Sequence, residues 1–219
     1  MNSSSLPTPV RHDPLDAFAD RFAAVATASN GAVRLEAIPF LAQVDIHADA
    51  SDPALLDQLG TALGIVLPLR PNTTSSAPGG ARRVLWLGPD EWLIVDADGT
   101  ADAIVAAVRG ALEGARGSVV DVSANRTTLR LAGPAAREIL ETGCSIDLHP
   151  RAFAPGVCAQ TTIARTSAIL LEVDAPPDAA GGPDYRLLVR PSFAGYLASW
   201  LLDAVDGLGD EVFSRPHAR

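Results

Sequence analysis

Few residues in this 219-residue chain combine the types and spacing that chemistry needs. Cys144, His149 and Cys158 lie in one segment and are zinc-ligand types. Structural zinc, however, takes ligands paired about two to four residues apart, and this spacing pairs none of them so closely. Buried cysteines and a capping histidine are the better reading, with Cys158 near a strand start in the core. Asp45 and His47 share a strand face and would need only a serine to complete a hydrolase triad, but no G-x-S-x-G turn supports one. Gly79-Gly80 lacks the glycine spacing and the preceding strand of a dinucleotide-binding turn. Asp121, Ser123, Asn125 and Arg126 form a polar cluster between two apolar strands. Asp and Asn bond their own backbone readily, so a structural turn or a protein interface stands ahead of a ligand loop. Arg126 is the candidate anchor, since a planar guanidinium bridges a carboxylate bidentately. Asn72 and Thr73, in the run PNTTSSAPGG, are further candidate contacts on an exposed and mobile loop. All 17 basic residues are Arg, which excludes a Schiff-base lysine and the phosphate lysine of a Walker motif.

The bulk composition narrows the partners. A formal charge of −9 argues against a nucleic-acid surface, which needs clustered cations to displace counterions. No apolar run approaches the roughly 20 residues that cross a bilayer. The start Met-Asn-Ser-Ser-Ser-Leu-Pro lacks the basic and apolar regions of a signal peptide, and two cysteines are too few for a disulfide framework. A cytoplasmic protein with an ordinary core is expected, since 47% of the residues are hydrophobic.

The elements that must position these residues fall into two similar sets. A mobile arm over 1–13 leads to a short helix over 16–28, stopped by Asn30-Gly31. Residues 34–47 alternate as one strand kinked at Pro39. A helix follows Asp52-Pro53, with Leu55, Leu56, Leu59 and Leu63 on one face. The run RVLWLGPDEWLIVD over 83–96 reads as a hairpin, followed by a helix over 100–113 and a strand over 118–122. Residues 34–122 thus spell βαββαβ, the ferredoxin-like order. The second set comprises a strand over 127–133, a helix over 134–143, the strands CAQTTIA and SAILLEV, and an acidic Pro/Gly-rich turn over 174–184. The strand YRLLV and a final helix carrying Phe193, Tyr196, Leu197, Trp200 and Leu201 complete it. GPDEWLIVD before one helix parallels GPDYRLLVR before the other, so two related α+β halves are expected. The divisions are 1–33 (arm and short helix), 34–122 (first half), 123–206 (second half) and 207–219 (tail).

Three phrases carry a resemblance. LPLRPNTT leading into LWLGPDEWLIV (67–95), VVDVSANRTTLRLAGPAAREILETGCSIDLHPRAF (119–153) and YRLLVRPSFAGYLASWLLDA (185–204) resemble the gamma subunit family of heterotetrameric sarcosine oxidase. The resemblance implies an α+β fold like that of the folate-binding aminomethyltransferase of glycine cleavage. It also implies a place beside alpha, beta and delta chains in a complex that demethylates sarcosine to glycine. That reaction yields hydrogen peroxide and 5,10-methylenetetrahydrofolate. In the family the flavins, NAD, tetrahydrofolate and zinc belong to the other chains, which leaves this one without cofactor, metal or catalytic residues. The related aminomethyltransferases place an acidic pair where this chain has Gly80-Ala81-Arg82-Arg83, and a pterin-holding Glu where it has Arg186. These residues cannot accept hydrogen bonds as carboxylates do, so the resemblance implies a retained fold with an accessory, structural role. The alternative is a stand-alone folate-binding one-carbon transfer protein.

Overall fold

The computed structural model describes residues 10–174 and 181–209. The rest of the expected arm, turn and tail, at 1–9, 175–180 and 210–219, lies outside them.

The chain does not run as one strand through Pro39. Strand β1 (Arg34–Ile38) and strand β2 (Ala42–Ala48) lie in different sheets. Pro39 has no N–H for a ladder and Phe40 takes φ 59, so the backbone turns between them. After β2 come α2 (Pro53–Leu63), β3 (Thr74–Ser76), β4 (Arg83–Gly88), β5 (Glu91–Asp96), α3 (Ala101–Ala111) and β6 (Gly117–Asp121). These strands form an antiparallel sheet in the order β3-β4-β5-β2-β6. The helix α2 begins sharply because the Asp52 carboxylate accepts from the N–H groups of Ala54 and Leu55 and Pro53 sits at its start. Gly64 ends it in the left-handed conformation at φ 67.

The second sheet repeats that plan. Its elements are β7 (Thr127–Ala132), α4 (Ala136–Glu141), β8 (Cys158–Ile163), β9 (Thr166–Val173), β10 (Asp184–Val189) and α5 (Pro191–Leu208), in the order β1-β7-β10-β9-β8. Each sheet is a four-stranded ferredoxin-like arrangement with one added edge strand, β3 or β8. The parallel phrases GPDEWLIVD and GPDYRLLVR occupy equivalent positions, as β5 and β10. The fourth strand comes from different places: β6 ends the first unit in sequence, whereas the second unit takes β1 from ahead of everything else. Residues 34–38, which the pattern groups with the first half, therefore pair with β7 instead.

The packing is four layers deep. Val44, Ile46, Val84, Trp92 and Ile94 of the first sheet pack against Leu55, Leu59, Ile104 and Val108 of α2 and α3. The other sheet buries Leu129, Leu131, Leu170 and Leu187 under α4, α5 and the N-terminal helix α1 (Ala19–Ala28). Between the sheets lie Leu85, Leu87, Leu93, Val95, Cys158, Ile169, Leu171, Val173 and Leu188. Strand period 2 lets each strand serve both layers, so these strands read as nearly unbroken apolar runs.

Three expectations change. In α5 the buried face is Ala194, Leu197, Ala198, Leu201, Leu202 and Val205, whereas Phe193 and Tyr196 are exposed at 48% and 42%. Residues 70–80 are not a free loop. They contain β3, and Thr74 N–H bonds Gly156 O while Cys158 N–H bonds Asn72 O, stitching the two sheets at one edge. Residues 10–15 are anchored: Thr127 Oγ1 donates to the buried Asp13 carboxylate at 2.6 Å, Leu15 is fully buried, and Arg11 pairs with Asp98 and lies over the Phe40 ring.

Candidate functional site

Polar residues gather at two ends of the layer between the sheets. At the first end stands the turn after β6. Asp121 Oδ1 accepts from both the N–H and the hydroxyl of Ser123, and Asn125 N–H bonds Val122 O. Gln43 of β2 donates its Nε2–H to the Arg126 carbonyl at 2.8 Å and its backbone N–H to Ser123 Oγ. Asp121 and Asn125 thus build a self-bonded turn locked to β2, while the Arg126 side chain is left to project. It shares an open pocket of about 370 Å³ with Arg190, Gln160, Thr161, Thr162 and Ser167. Burial, and then the neighbouring Arg190, push Arg126 below its ordinary pKa, with Asp45 and Glu91 acting in the opposite sense. A guanidinium still remains charged at any physiological pH. Asn72 and Thr73 lie on the seam with β8: the Asn72 side chain is exposed, and Thr73 Oγ1 donates to Arg70 O at 2.6 Å.

Beside this turn, Asp45, His47 and Glu91 bring one ligand-type atom each within 4.8 Å of one another. Sequence spacing joins the first two; Glu91 arrives through the β2–β5 register, which sets it opposite His47. The trio is part-exposed, with His47 Nε2 3.9 Å from Asp45 Oδ2, and the Arg126 charge acts against any cation there. Cys158 is 1% exposed, its thiol pushed up to about 12 by burial, and it points at the Thr73 and Trp86 carbonyls. A thiol so protonated is an inert core residue. His149 accepts the Arg151 N–H on Nδ1, as a local cap. Trp92 is fully buried and donates its indole N–H to Pro68 O, with Trp86 opposite it across the hairpin.

At the other end of the layer a narrow cavity of about 180 Å³ opens between the sheets. Gly80, Ala81 and Arg83 of the first unit and Arg186 of the second line it, over a floor that includes Ile38, Leu41, Val95, Leu171 and Leu188. These are the places at which the resemblance leads one to expect a folate enzyme's carboxylates. A pterin amine finds guanidinium here instead, and the space is well below the roughly 300 Å³ at which sites for drug-sized ligands begin. The residues present do not fit folate.

A four-layer protein of two antiparallel five-stranded sheets, with arginines at one end of the layer between them, has an aminomethyltransferase-type fold. The fold is matched by aminomethyltransferase T of the glycine cleavage system from Bartonella henselae at a TM-score of 0.59 and 17% identity, covering 86% of this chain and 49% of that one. The chain belongs to the sarcosine oxidase gamma subunit family, whose model matches residues 47–207. Sarcosine oxidase subunit gamma of Corynebacterium sp. (strain P-1) is 35% identical over 93% of this chain and 94% of the relative. The Arthrobacter sp. protein of that name is 36% identical over 90% and 91%. A chain of the heterotetrameric sarcosine oxidase structure from Corynebacterium sp. U-96, in complex with pyrrole 2-carboxylate, superposes at a TM-score of 0.79 and 31% identity, covering 96% of this chain and all of that one.

Proposed function

We propose that this chain is a non-catalytic gamma subunit acting in assembly, within a cytoplasmic heterotetrameric sarcosine oxidase that also contains alpha, beta and delta chains. The observation that carries the reading is whole-length similarity to a chain of such a complex. The substitution of arginine and glycine for carboxylates in the inter-sheet cavity supports the non-catalytic part. No helix among the described residues is long and apolar enough to cross a membrane. Flavins, NAD, tetrahydrofolate and zinc are assigned to the other chains, so the purified subunit is expected to be colourless; a flavin absorption spectrum would overturn that. The runner-up, a folate-binding one-carbon protein, is favoured by the shared fold. Tetrahydrofolate bound much more tightly than its pterin-free fragment p-aminobenzoylglutamate would establish it.

Arg126 is the proposed contact residue. Its backbone is held by Gln43, but among the described residues its guanidinium makes no hydrogen bond, while lying beside a floor of Thr and Ser hydroxyls. Truncating an Arg at an interface centre costs about 2 kcal/mol or more. Arg126→Ala is expected to leave the circular dichroism and melting of the isolated chain unchanged and to lower recovery of the four-chain complex in a pull-down. Should the mutant assemble like the parent but melt clearly lower, Arg126 serves the subunit's own fold.

A further inference from the structure

The cavity between the sheets carries a set of polar groups that the assembly role leaves unused. Thr128 of β7 is 1% exposed, and its Oγ1 has no hydrogen-bond partner among the described residues. It lines the same cavity as Arg83 and Arg186. In the sheet register Thr128 sits opposite Leu188 and Ile38, with Arg130 opposite Arg186, so all face the inter-sheet side. A buried hydroxyl left without a partner is costly and calls for one.

The cavity's charged side chains are donors without an accepting partner to spare. Arg83 donates to Ser76 Oγ at 2.7 Å and lies against Gly80, where a Cβ would come 3.5 Å from its Nη2. Burial, and then the Arg186 charge, depress its pKa, and the fields of Asp174 and Asp184 do not fully offset them. Asp184 is fully buried and already accepts from Arg186 and, on both oxygens, from Arg130, which in turn reaches Glu36. Asp174 is exposed. Arg83, Arg186 and Thr128 therefore line one cavity over an aliphatic floor, where the one buried carboxylate, Asp184, is already shared by Arg186 and Arg130 and leaves the Arg83 charge uncompensated. An anion relieves all three at once, and a carboxylate matches a guanidinium fork in shape.

We propose that this cavity is a binding site for a small carboxylate with an apolar body. The carboxylate lies between Arg83, Arg186 and Thr128, and its apolar part rests on Ile38, Leu41, Val95, Leu171 and Leu188. The carboxylate belongs either to a free small molecule or to an acidic side chain or C-terminus of a partner subunit.

Titration calorimetry on the full chain with benzoate, against neutral benzamide as the isosteric control, tests it. Benzoate is expected to bind saturably and benzamide to bind at least tenfold more weakly. Arg83→Gln, which removes one cation and leaves the Asp184 pairs in place, weakens benzoate about tenfold or more. Thr128→Val, which keeps the shape and removes the hydroxyl, weakens it by about threefold to tenfold. Repeating the titration on four-chain complexes, as the difference between parent and Arg83→Gln, separates the sources. A difference that persists assigns the site to a free carboxylate; one that vanishes on assembly assigns it to a partner's. No saturable benzoate binding, equal binding of benzamide, or indifference to both substitutions overturns the proposal.

Discussion

Gly133→Ala is expected to lower the melting temperature of the chain about twice as far as Gly114→Ala. Both glycines have left-handed backbones, at φ +115 and +81, so both substitutions carry the roughly 1–2 kcal/mol strain of an L side chain there. Around Gly114 nothing lies within 4 Å of an added methyl group, and the strain is the whole cost. At Gly133 that methyl would sit 2.4 Å from the Ala32 carbonyl oxygen, which is itself the acceptor of the Ala135 N–H. The obstacle is backbone, which no rotamer change removes, and overpacking of this kind adds about 1–3 kcal/mol. Gly182 repeats the geometry, since a methyl there would meet Gly133 and Pro134 at 2.6 Å. Three chain segments touch at this point: the approach to β1, the exit of β7 and the entry to β10. The second unit obtains its fourth strand here from the chain's N-terminal part. At about 2–4 °C per kcal/mol for a chain of this size, thermal melts resolve the two variants. Equal melting shifts would show that the segments separate freely and that β1 is not held by this contact.

Much of this arrangement was legible because local chemistry agreed with global packing. Asp52-Pro53 marked the start of α2, and turn residues placed the hairpin and revealed the repeat as GPDEW and GPDY. Local patterns fall short where long-range pairing decides the outcome. Residues 34–47 alternate correctly on both sides of Pro39, but alternation says nothing about which sheet a strand joins, and the turn at Phe40 sends its two parts to different layers. The segment 70–80 has loop composition, and only its pairing with β4 and the start of β8 orders it. In α5 the helical period was right, but small residues Ala194 and Ala198 take the buried face. Phe193 and Tyr196 point outward, while Trp200 packs against the core beside Gly143. The arginines at 83 and 186 were visible singly. That they line one cavity beside an unpartnered Thr128 follows from how one sheet packs on the other, which no local pattern shows.

Asp184→Asn is expected to be among the most destabilising single changes in the chain, although Asp184 only begins a strand. Its side chain is fully buried and carries the negative charge that holds Arg130 and Arg186 together. Arg130 donates to both carboxylate oxygens at 2.9–3.1 Å and is raised above its ordinary pKa chiefly by that bond. Asn keeps the volume but removes the charge and presents an NH2 where an acceptor stood, so two largely buried cations lose their counter-charge. Breaking a buried pair by removing one partner typically costs about 3–5 kcal/mol, because the remaining charge stays desolvated. Glu36, which also pairs with Arg130, is 51% exposed, and Glu36→Gln should cost under about 1 kcal/mol, as surface pairs do. Thermal melts of the two variants at neutral pH therefore separate by about 5 °C or more, given roughly 2–4 °C per kcal/mol. If Asp184→Asn melts no lower than Glu36→Gln, water reaches and screens the arginines, and the inter-sheet end is an open polar rim where no desolvated charge awaits an anion.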